Sequence, residues 1–431
     1  MKKGDASVLS LLIIADDFTG ALDTGVQFAQ AGARVRVVTN ISYDYKALNE
    51  DIRVLVMDAE TRHLKLDEAY ERTYRITKDA VDNHVPYIYK KTDSALRGNI
   101  GSELTAVLDA SGINELPFLP SFPQMGRVTR DGIHYIDGVP VAESVFGTDP
   151  FEPVKFSYIP DIIAEQSGVE VHVEKEGSKS ETEFSSASIT VYDSENYNEL
   201  EALGRKLFRE NKLSVMAGCA GFASVLPDIL GLGGGKKGEI SLSSPLLVVS
   251  GSLNPITAEQ IRHAHERGFI RICLDPAQKL SPKYWESEEG SEFLESRLRD
   301  CINLYDCIID SGGDTGTSEY GRDMGIDSEE IRKTVTLSIG TMFKELIDKG
   351  FTGTALVIGG DTIRGIMNKM GMHEIEPVCE LAPGTVLSVF RYKNESKNII
   401  SKSGGFGSPE LLEKISEIVN KKEETEYVKA V

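Results

Sequence analysis

The apolar run from Leu11 to Ala15 stops at Asp16-Asp17-Phe18-Thr19-Gly20, and Ala21, Leu22, Val26 and Phe28 then recur at helical spacing as far as Gly32. Strand, loop, helix is the unit that this chain repeats. Residues 34–38 and 53–57 read as further strands, 67–82 as a helix and 86–89 as a fourth strand. Strands that alternate with helices build βαβ units and a largely parallel sheet. Residues 120–160 break the rhythm, with Gly, Pro and aromatic residues scattered as in Pro120-Ser121-Phe122-Pro123 and Gly147-Thr148-Asp149-Pro150. They are expected to be loop-rich and to face the surface.

At 431 residues the chain holds two or three domains at roughly 150 residues each. The clearest boundary is the run from Gly231 through Gly233-Gly234-Gly235 and Lys236-Lys237 to Gly238. The expected organisation is a first domain over residues 1–230, a glycine-rich linker over 231–245 and a second domain over 246–431. Beyond the linker the rhythm restarts, with strands at 246–249, 269–274, 307–309, 355–358, 386–390 and 399–401 and helices at 257–267, 291–303, 328–349 and 409–419. The fold class is α/β: two domains, each with a mostly parallel sheet flanked by helices.

Lys plus Arg number 47 against 67 for Asp plus Glu, a formal charge of −20 that disfavours nucleic-acid or membrane partners. An anionic ligand must then meet a locally basic pocket. The five cysteines form no CxxC pair, and no segment reaches the roughly 18 consecutive apolar residues of a membrane span. Free thiols in the cytoplasm are expected, and a zinc site is not. Gly233-x-Gly235-x-x-Gly238 matches a dinucleotide fingerprint in letters, but it lies in the linker with no helix after it. There is no P-loop and no protein-kinase signature, and His263 and His265 sit two apart on a helix, so they cannot share a face.

In open α/β sheets ligands lie beyond the carboxyl ends of the strands. In the first half those positions carry Asp16, Asp17 and Thr19, then Asp58, Glu60, Arg62 and His63, then Lys90, Lys91, Thr92, Asp93, Ser94 and Arg97. Cations for a carboxylate, with Asp and Ser for hydroxyls, suit a small polyhydroxy acid. Helix capping is the alternative for Asp, Thr and Ser, though it leaves the cations unexplained. In the second half the same positions are rich in glycine: Ser250-Gly251-Ser252, Ser311-Gly312-Gly313-Asp314-Thr315, Gly359-Gly360-Asp361-Thr362 and Lys402-Ser403-Gly404-Gly405-Phe406-Gly407. Glycine lets backbone N–H groups approach phosphate oxygens, and a helix start adds a favourable field. Turn chemistry alone also puts glycine there, but several such loops in one domain point to phosphate.

Taken in order, these segments resemble the four-carbon acid sugar kinase family. The resemblance is carried by Ile14-Ala15-Asp16-Asp17-Phe18-Thr19-Gly20-Ala21 with Asp23-Thr24-Gly25, by residues 90–99, by 123–132 with Gly138-Val139-Pro140, and by Gly251-Ser252, Gly359–Thr362 and 402–407. It implies ATP-dependent phosphorylation of D-threonate, D-erythronate or an oxo-tetronate, at the terminal hydroxyl. The first domain would hold the acid and the second ATP, with the active site in the cleft between them. By motif position, Asp17, Arg62, Lys91, Thr92, Asp93 and Ser94 would contact the acid with Arg97 beside them, and Ser252, Gly359, Gly360, Asp361, Thr362, Gly404 and Gly405 would contact ATP. Ile363 and Arg364 depart from the family pattern, in which Ser and a small residue often follow Gly-Gly-Asp-Thr.

Magnesium is expected on the phosphates, with Asp361 orienting it through water. Asp93 is favoured over Asp17 as general base, because Lys91 and Arg97 beside it would keep it ionised. A non-catalytic sensor of sugar acid and nucleotide, or a lyase or oxidoreductase on a small sugar acid, is the alternative. A homo-oligomer is left open.

Overall fold

A computed structural model of the chain describes residues 9–45, 48, 51–149, 152–174, 187–235, 242–312, 316–323 and 325–421. Contacts divide the chain into two compact units, Met1–Lys237 and Gly238–Val431. In the first, β1 (Leu11–Ala15), β2 (Val35–Val38), β3 (Val54–Asp58), β4 (Tyr87–Lys91) and β5 (Glu115–Leu119) lead into β6 (Arg127–Arg130), β7 (Ile133–Ile136) and β8 (Val139–Pro140). β9 (Glu170–Glu174), β10 (Ser188–Tyr192) and β11 (Val215–Gly218) complete it. Apart from β6 to β8, the strands pair in parallel in the order β2-β3-β1-β4-β11-β5-β10-β9. β1 and β3 are buried along their whole length, as parallel strands covered on both faces must be.

One expectation changes here and another is refined. Strand β4 does not end at Tyr89 but continues through Lys90 and Lys91, both buried. The sheet tolerates Lys90 because its ammonium lies 3.1 Å from Glu103 Oε2 and donates to the Lys91 carbonyl at 2.7 Å. Residues 120–160 are loop-rich but not without order: β6, β7 and β8 form a short antiparallel arm within them. Its turns are Asp131-Gly132 (φ 53° and 74°) and Asp137-Gly138 (φ 50° and 81°), the pair of left-handed residues that a tight hairpin requires.

In the second unit, β12 (Leu246–Ser250), β13 (Ile270–Cys273), β14 (Cys307–Asp310), β15 (Thr354–Ile358), β16 (Glu374–Ala382), β17 (Thr385–Tyr392) and β18 (Glu395–Lys402) form the order β13-β14-β12-β15-β18-β17-β16. Pairing is parallel from β13 to β18 and antiparallel from β18 to β16. The two short strands expected near 386 and 399 are thus arms of one long hairpin, turned at Lys393-Asn394 (φ 49° and 67°). Leu12, Ile14, Leu55, Met57, Leu104 and Val107 belong to the first core, and Val248, Ile308, Leu356, Leu387 and Ile400 to the second. Trp285 is fully buried and donates from Nε1 to Ser338 Oγ at 2.8 Å.

Part of the glycine run folds back onto the first unit. Leu232 is buried, and Gly234 donates to the Ala31 carbonyl at 2.7 Å. Residues 236–241 lie outside the described residues, and with them Gly238 of the fingerprint. His263 bonds to Glu413 and His265 to the Phe269 carbonyl, so neither faces a shared metal. Among the described residues no helix is long and apolar enough to cross a membrane.

Candidate functional site

β1 lies between β3 and β4, and Ala15 is level with Asp58 on one side and Lys91 on the other. The chain leaves β1 toward β2 on one side and later crosses to β4, so the crevice beyond β1 and β4 is the topological switch point, where α/β sheets take ligands. Asp16 organises it. Its carbonyl accepts from the N–H groups of Thr61 (3.0 Å) and Arg62 (3.2 Å), laying the segment after β3 across the end of β1. Asn99 clamps that segment by donating to the carbonyls of Thr61 (2.7 Å) and Leu64 (2.9 Å).

Arg62 is thereby aimed at three aspartates. Its Nε and Nη2 reach Asp16 Oδ2 at 2.7 and 2.6 Å, Nη1 reaches Asp17 Oδ2 at 2.8 Å, and Nη2 lies 3.5 Å from Asp93 Oδ1. Lys91 Nζ lies 3.3 Å from Asp16 Oδ1. Arg97 grips Asp93 in bidentate fashion, at 2.8 and 3.1 Å, and lies 3.4 Å from Asp149 Oδ2, with its guanidinium 5.1 Å from the centre of the Phe146 ring. Gly20 leaves room for the site's charged ends, because a Cβ there would displace Lys91 Nζ and Asp17 Oδ1.

Burial works against the ionised form of Asp16, yet Arg62, Lys91 and Lys90 hold it well below the usual carboxylate range. Asp93 is also disfavoured by burial and also held well below, by Arg97 and Arg62. A carboxylate with a depressed folded pKa contributes stability above its unfolded value of 3.8, and loses it only as pH falls through the lower folded value. The alternating charges therefore persist throughout the neutral range. Within this mosaic Asp17 is the most open carboxylate, 26% exposed. Its Oδ1 caps the helix Phe18–Gln30 by accepting from Gly20 N–H at 2.8 Å.

The remaining candidates in this unit divide. The Thr92 hydroxyl is turned to the Gly218 carbonyl at 3.4 Å, and its N–H donates to the same atom at 2.8 Å, so its bonds hold β4 to β11. The Ser94 hydroxyl makes no hydrogen bond among the described residues, while its carbonyl receives His134 Nε2 at 2.9 Å. Burial pushes His134 down to about 4, so the ring is neutral at neutral pH. Since a carbonyl can only accept, the proton is on Nε2, and Nδ1 accepts from the Thr129 hydroxyl at 3.2 Å. Asp16 stands in the polar set read from sequence but was given no role there, and Asn99, His134, Phe146 and Asp149 were not selected as site residues. Only the pairing of Asp16 with Asp17 pointed to the first, and the Asp-Gly turns to the arm that carries His134.

The second site repeats the placement with different chemistry. Ser250, Ile358 and Lys402 are level across β12, β15 and β18. Gly359 (φ 107°) donates to the Lys402 carbonyl at 3.0 Å and turns the chain into the helix Gly360–Lys369. The N–H groups of Gly360, Asp361 and Thr362 are in its first turn, where no intrahelical acceptor exists. A Cβ on Gly251 would lie 2.5 Å from Thr362 Oγ1, and one on Gly404 would lie 2.6 Å from Ser252 Oγ. The loops are therefore bare backbone where they converge. Gly405 lies beside Asn254, while Thr257 and Gln260 bind the carbonyls of Gly404, Phe406 and Ser408 and fix the loop to the helix Pro255–Glu266. Ile363 is buried and faces the core.

Asp361 is 56% exposed, with Arg332 at 3.5 Å. Among the described residues no group of three His, Cys, Asp or Glu side chains could hold a metal by itself. A lone exposed carboxylate beside a phosphate cradle fits magnesium, which keeps several waters and takes one or two carboxylates plus phosphate oxygens. In the loop after β14, Asp310 is held by Arg271 in bidentate fashion (2.7 and 3.0 Å) and accepts from Gly312 N–H, whereas residues 313–315 lie outside the described residues.

Residues 11–226 match a family model described as a sugar-binding N-terminal domain, and residues 247–412 match one described as a nucleotide-binding C-terminal domain. A D-threonate kinase of Salmonella typhimurium is 27% identical over 430 residues, covering 94% of this chain and 97% of that one. A D-erythronate kinase of Heliobacterium modesticaldum is 25% identical, covering 87% and 88%, and a 3-oxo-tetronate kinase of Methylobacterium radiotolerans is 24% identical, covering 94% and 98%. Among solved structures, a Salmonella typhimurium protein described as a putative tRNA synthase superposes with a TM-score of 0.78 at 20% identity, covering 96% and 99%. A Haemophilus influenzae protein gives 0.73 at 19%, covering 95% and 100%. At those identities the two structures speak for the fold.

Proposed function

This chain belongs to the four-carbon acid sugar kinase family, and from that premise we propose that it moves the γ-phosphoryl group of ATP to the terminal 4-hydroxyl of D-threonate, D-erythronate or an oxo-tetronate. The observation that carries the proposal is the contrast between the two sets of strand ends. Beyond β1, β3 and β4 stand carboxylates and cations that suit a hydroxy acid. Beyond β12, β15 and β18 stand bare glycine loops and a helix start that suit phosphates.

In this reading the substrate carboxylate is held at the cationic side, by Lys91 and Arg62. The Lys91 ammonium has three donors, and one hydrogen bond is found for it among the described residues. Anchoring the carboxylate leaves the far end of the acid, its primary hydroxyl, to react. Ser252, Gly359 to Thr362, Gly404 and Gly405 would cradle ATP. Magnesium, bound with the nucleotide near Asp361, would neutralise the charge on the phosphates. Transfer needs the hydroxyl oxygen within about 3–3.5 Å of the phosphorus, so the proposal requires the two ligands to meet in the working enzyme.

Of the two aspartates weighed as general base, the surroundings favour Asp17. Both oxygens of Asp93 are committed to Arg97, and two backbone N–H groups also point at Oδ2. Such a carboxylate is a weak proton acceptor and a good anchor for guanidinium groups. Asp17 is more exposed and carries fewer contacts. With thiols at all five cysteines, the cytoplasm is the compartment we assign.

Release of ADP from ATP, measured across a panel of four-carbon acids, tests the reading. Release is expected only with a tetronate present. A sensor would bind both ligands without releasing ADP, a lyase or oxidoreductase would consume the acid without ATP, and either outcome would overturn the proposal.

A further inference from the structure

Among the described residues three lysines, Lys90, Lys91 and Lys402, are almost completely buried at the ends of parallel strands, and they differ in their counter-charge: Lys91 has the Asp16 carboxylate at 3.3 Å. Lys90 has a carboxylate, Glu103, at 3.1 Å. Lys402 is 2% exposed, and among the described residues no carboxylate pairs with it. Its one hydrogen bond runs from Nζ to the carbonyl of Ser403 at 2.8 Å. A buried ammonium without a counter-charge is costly, and a lysine that served packing alone would be expected to have a partner such as Glu103.

The position of Lys402 suggests where the counter-charge comes from. Its own carbonyl receives the N–H of Gly359, the residue that turns β15 into the helix Gly360–Lys369, and the next residue opens the glycine loop 403–407. Its amine is therefore at the junction of the two loops that cradle phosphate in the reading above, on which this inference rests. We propose that Lys402 is a ligand for the nucleotide phosphates, and that their binding draws a proton from solvent onto its amine.

Among the described residues the neighbouring elements offer Lys402 no other counter-charge. β15 carries no titratable side chain, and on β17 the titratable groups are Arg391 and Tyr392, which pair with the far end of β18. The helix Gly360–Lys369 carries Asp361, which faces Arg332, together with the cations Arg364 and Lys369. Glu380, near the Gly384 turn, accepts from Gly384 N–H. With burial as the sole influence, Lys402 is pushed down to about 7, so a large part of it is neutral before a ligand arrives. Phosphate oxygens at hydrogen-bond distance would restore the ammonium.

The test is calorimetric titration of the full chain with ADP and with ATP in buffers of different ionisation enthalpy, at about pH 8, where the nucleotide phosphates are already ionised. Wild-type protein is expected to take up close to one proton per nucleotide. Lys402→Met should take up none and bind nucleotide roughly 10- to 100-fold more weakly. Lys402→Arg should retain much of the affinity yet take up no proton, because a guanidinium is already charged, and it guards against loss of folding in the methionine variant. Binding by wild type without proton uptake, or uptake that persists in Lys402→Met, would overturn the inference and leave the kinase reading standing. Failure of wild type to bind either nucleotide would count against the kinase reading itself, and this inference would fall with it.

Discussion

Asp17→Asn is expected to lower kcat by about 100-fold or more, with Tm and the affinity for ATP close to wild type. Asparagine caps a helix about as well as aspartate, so the side-chain oxygen that accepts from Gly20 N–H is preserved and the helix Phe18–Gln30 keeps its start. What disappears is the charge, and with it the capacity to take the proton of the attacking hydroxyl. The contact from Arg62 Nη1 weakens but survives through a neutral oxygen, and Arg62 keeps its two bonds to Asp16. Steady-state rates with saturating ATP and a tetronate, beside thermal unfolding, would check this. A kcat within about threefold of wild type removes the role from Asp17. A selective fall in kcat for Asp93→Asn, at unchanged Tm, would transfer it to Asp93.

Asp16→Ala is expected to cost about 3–5 kcal/mol of stability in the first unit and to abolish tetronate-dependent turnover. Asp16 is 2% exposed, and it neutralises Arg62 and Lys91 together. Without it the guanidinium retains Asp17 and a longer approach to Asp93, while the Lys91 ammonium is buried without its partner. Urea unfolding followed by far-ultraviolet circular dichroism would measure the loss, with nucleotide binding retained because those residues belong to the second unit. A cost below about 1 kcal/mol would mean that the charges relax without it, and that Asp16 is not the keystone described above.

How much of this was legible depended on which residues obeyed a period. β1 and β3 are apolar runs that end in acidic residues, so both the strand and the polar end beyond it could be read directly. β4 was cut short because Lys90 and Lys91 look like a loop, and only the buried Glu103 makes a lysine tolerable in the sheet. β6 to β8 were hidden by mixed polarity, and β17 and β18 were legible only as short separate strands, although Asp131-Gly132, Asp137-Gly138 and Lys393-Asn394 carried turn chemistry that could have revealed the hairpins. The aspartates and cations of the first site were visible as a set. Which carboxylate is gripped and which is open was not, because it depends on contacts between residues distant in sequence, such as Arg62 with Asp16 and Arg97 with Phe146. Lys402 could be named from sequence, but that no carboxylate pairs with it among the described residues is a property of packing.

Hydrogen exchange of the whole chain, with a tetronate alone and with ATP alone, tests the division of labour most directly. The tetronate is expected to slow exchange at residues 15–20, 59–64 and 91–99, and ATP at residues 250–257, 358–364 and 402–408. Protection by both ligands within the same unit would contradict it.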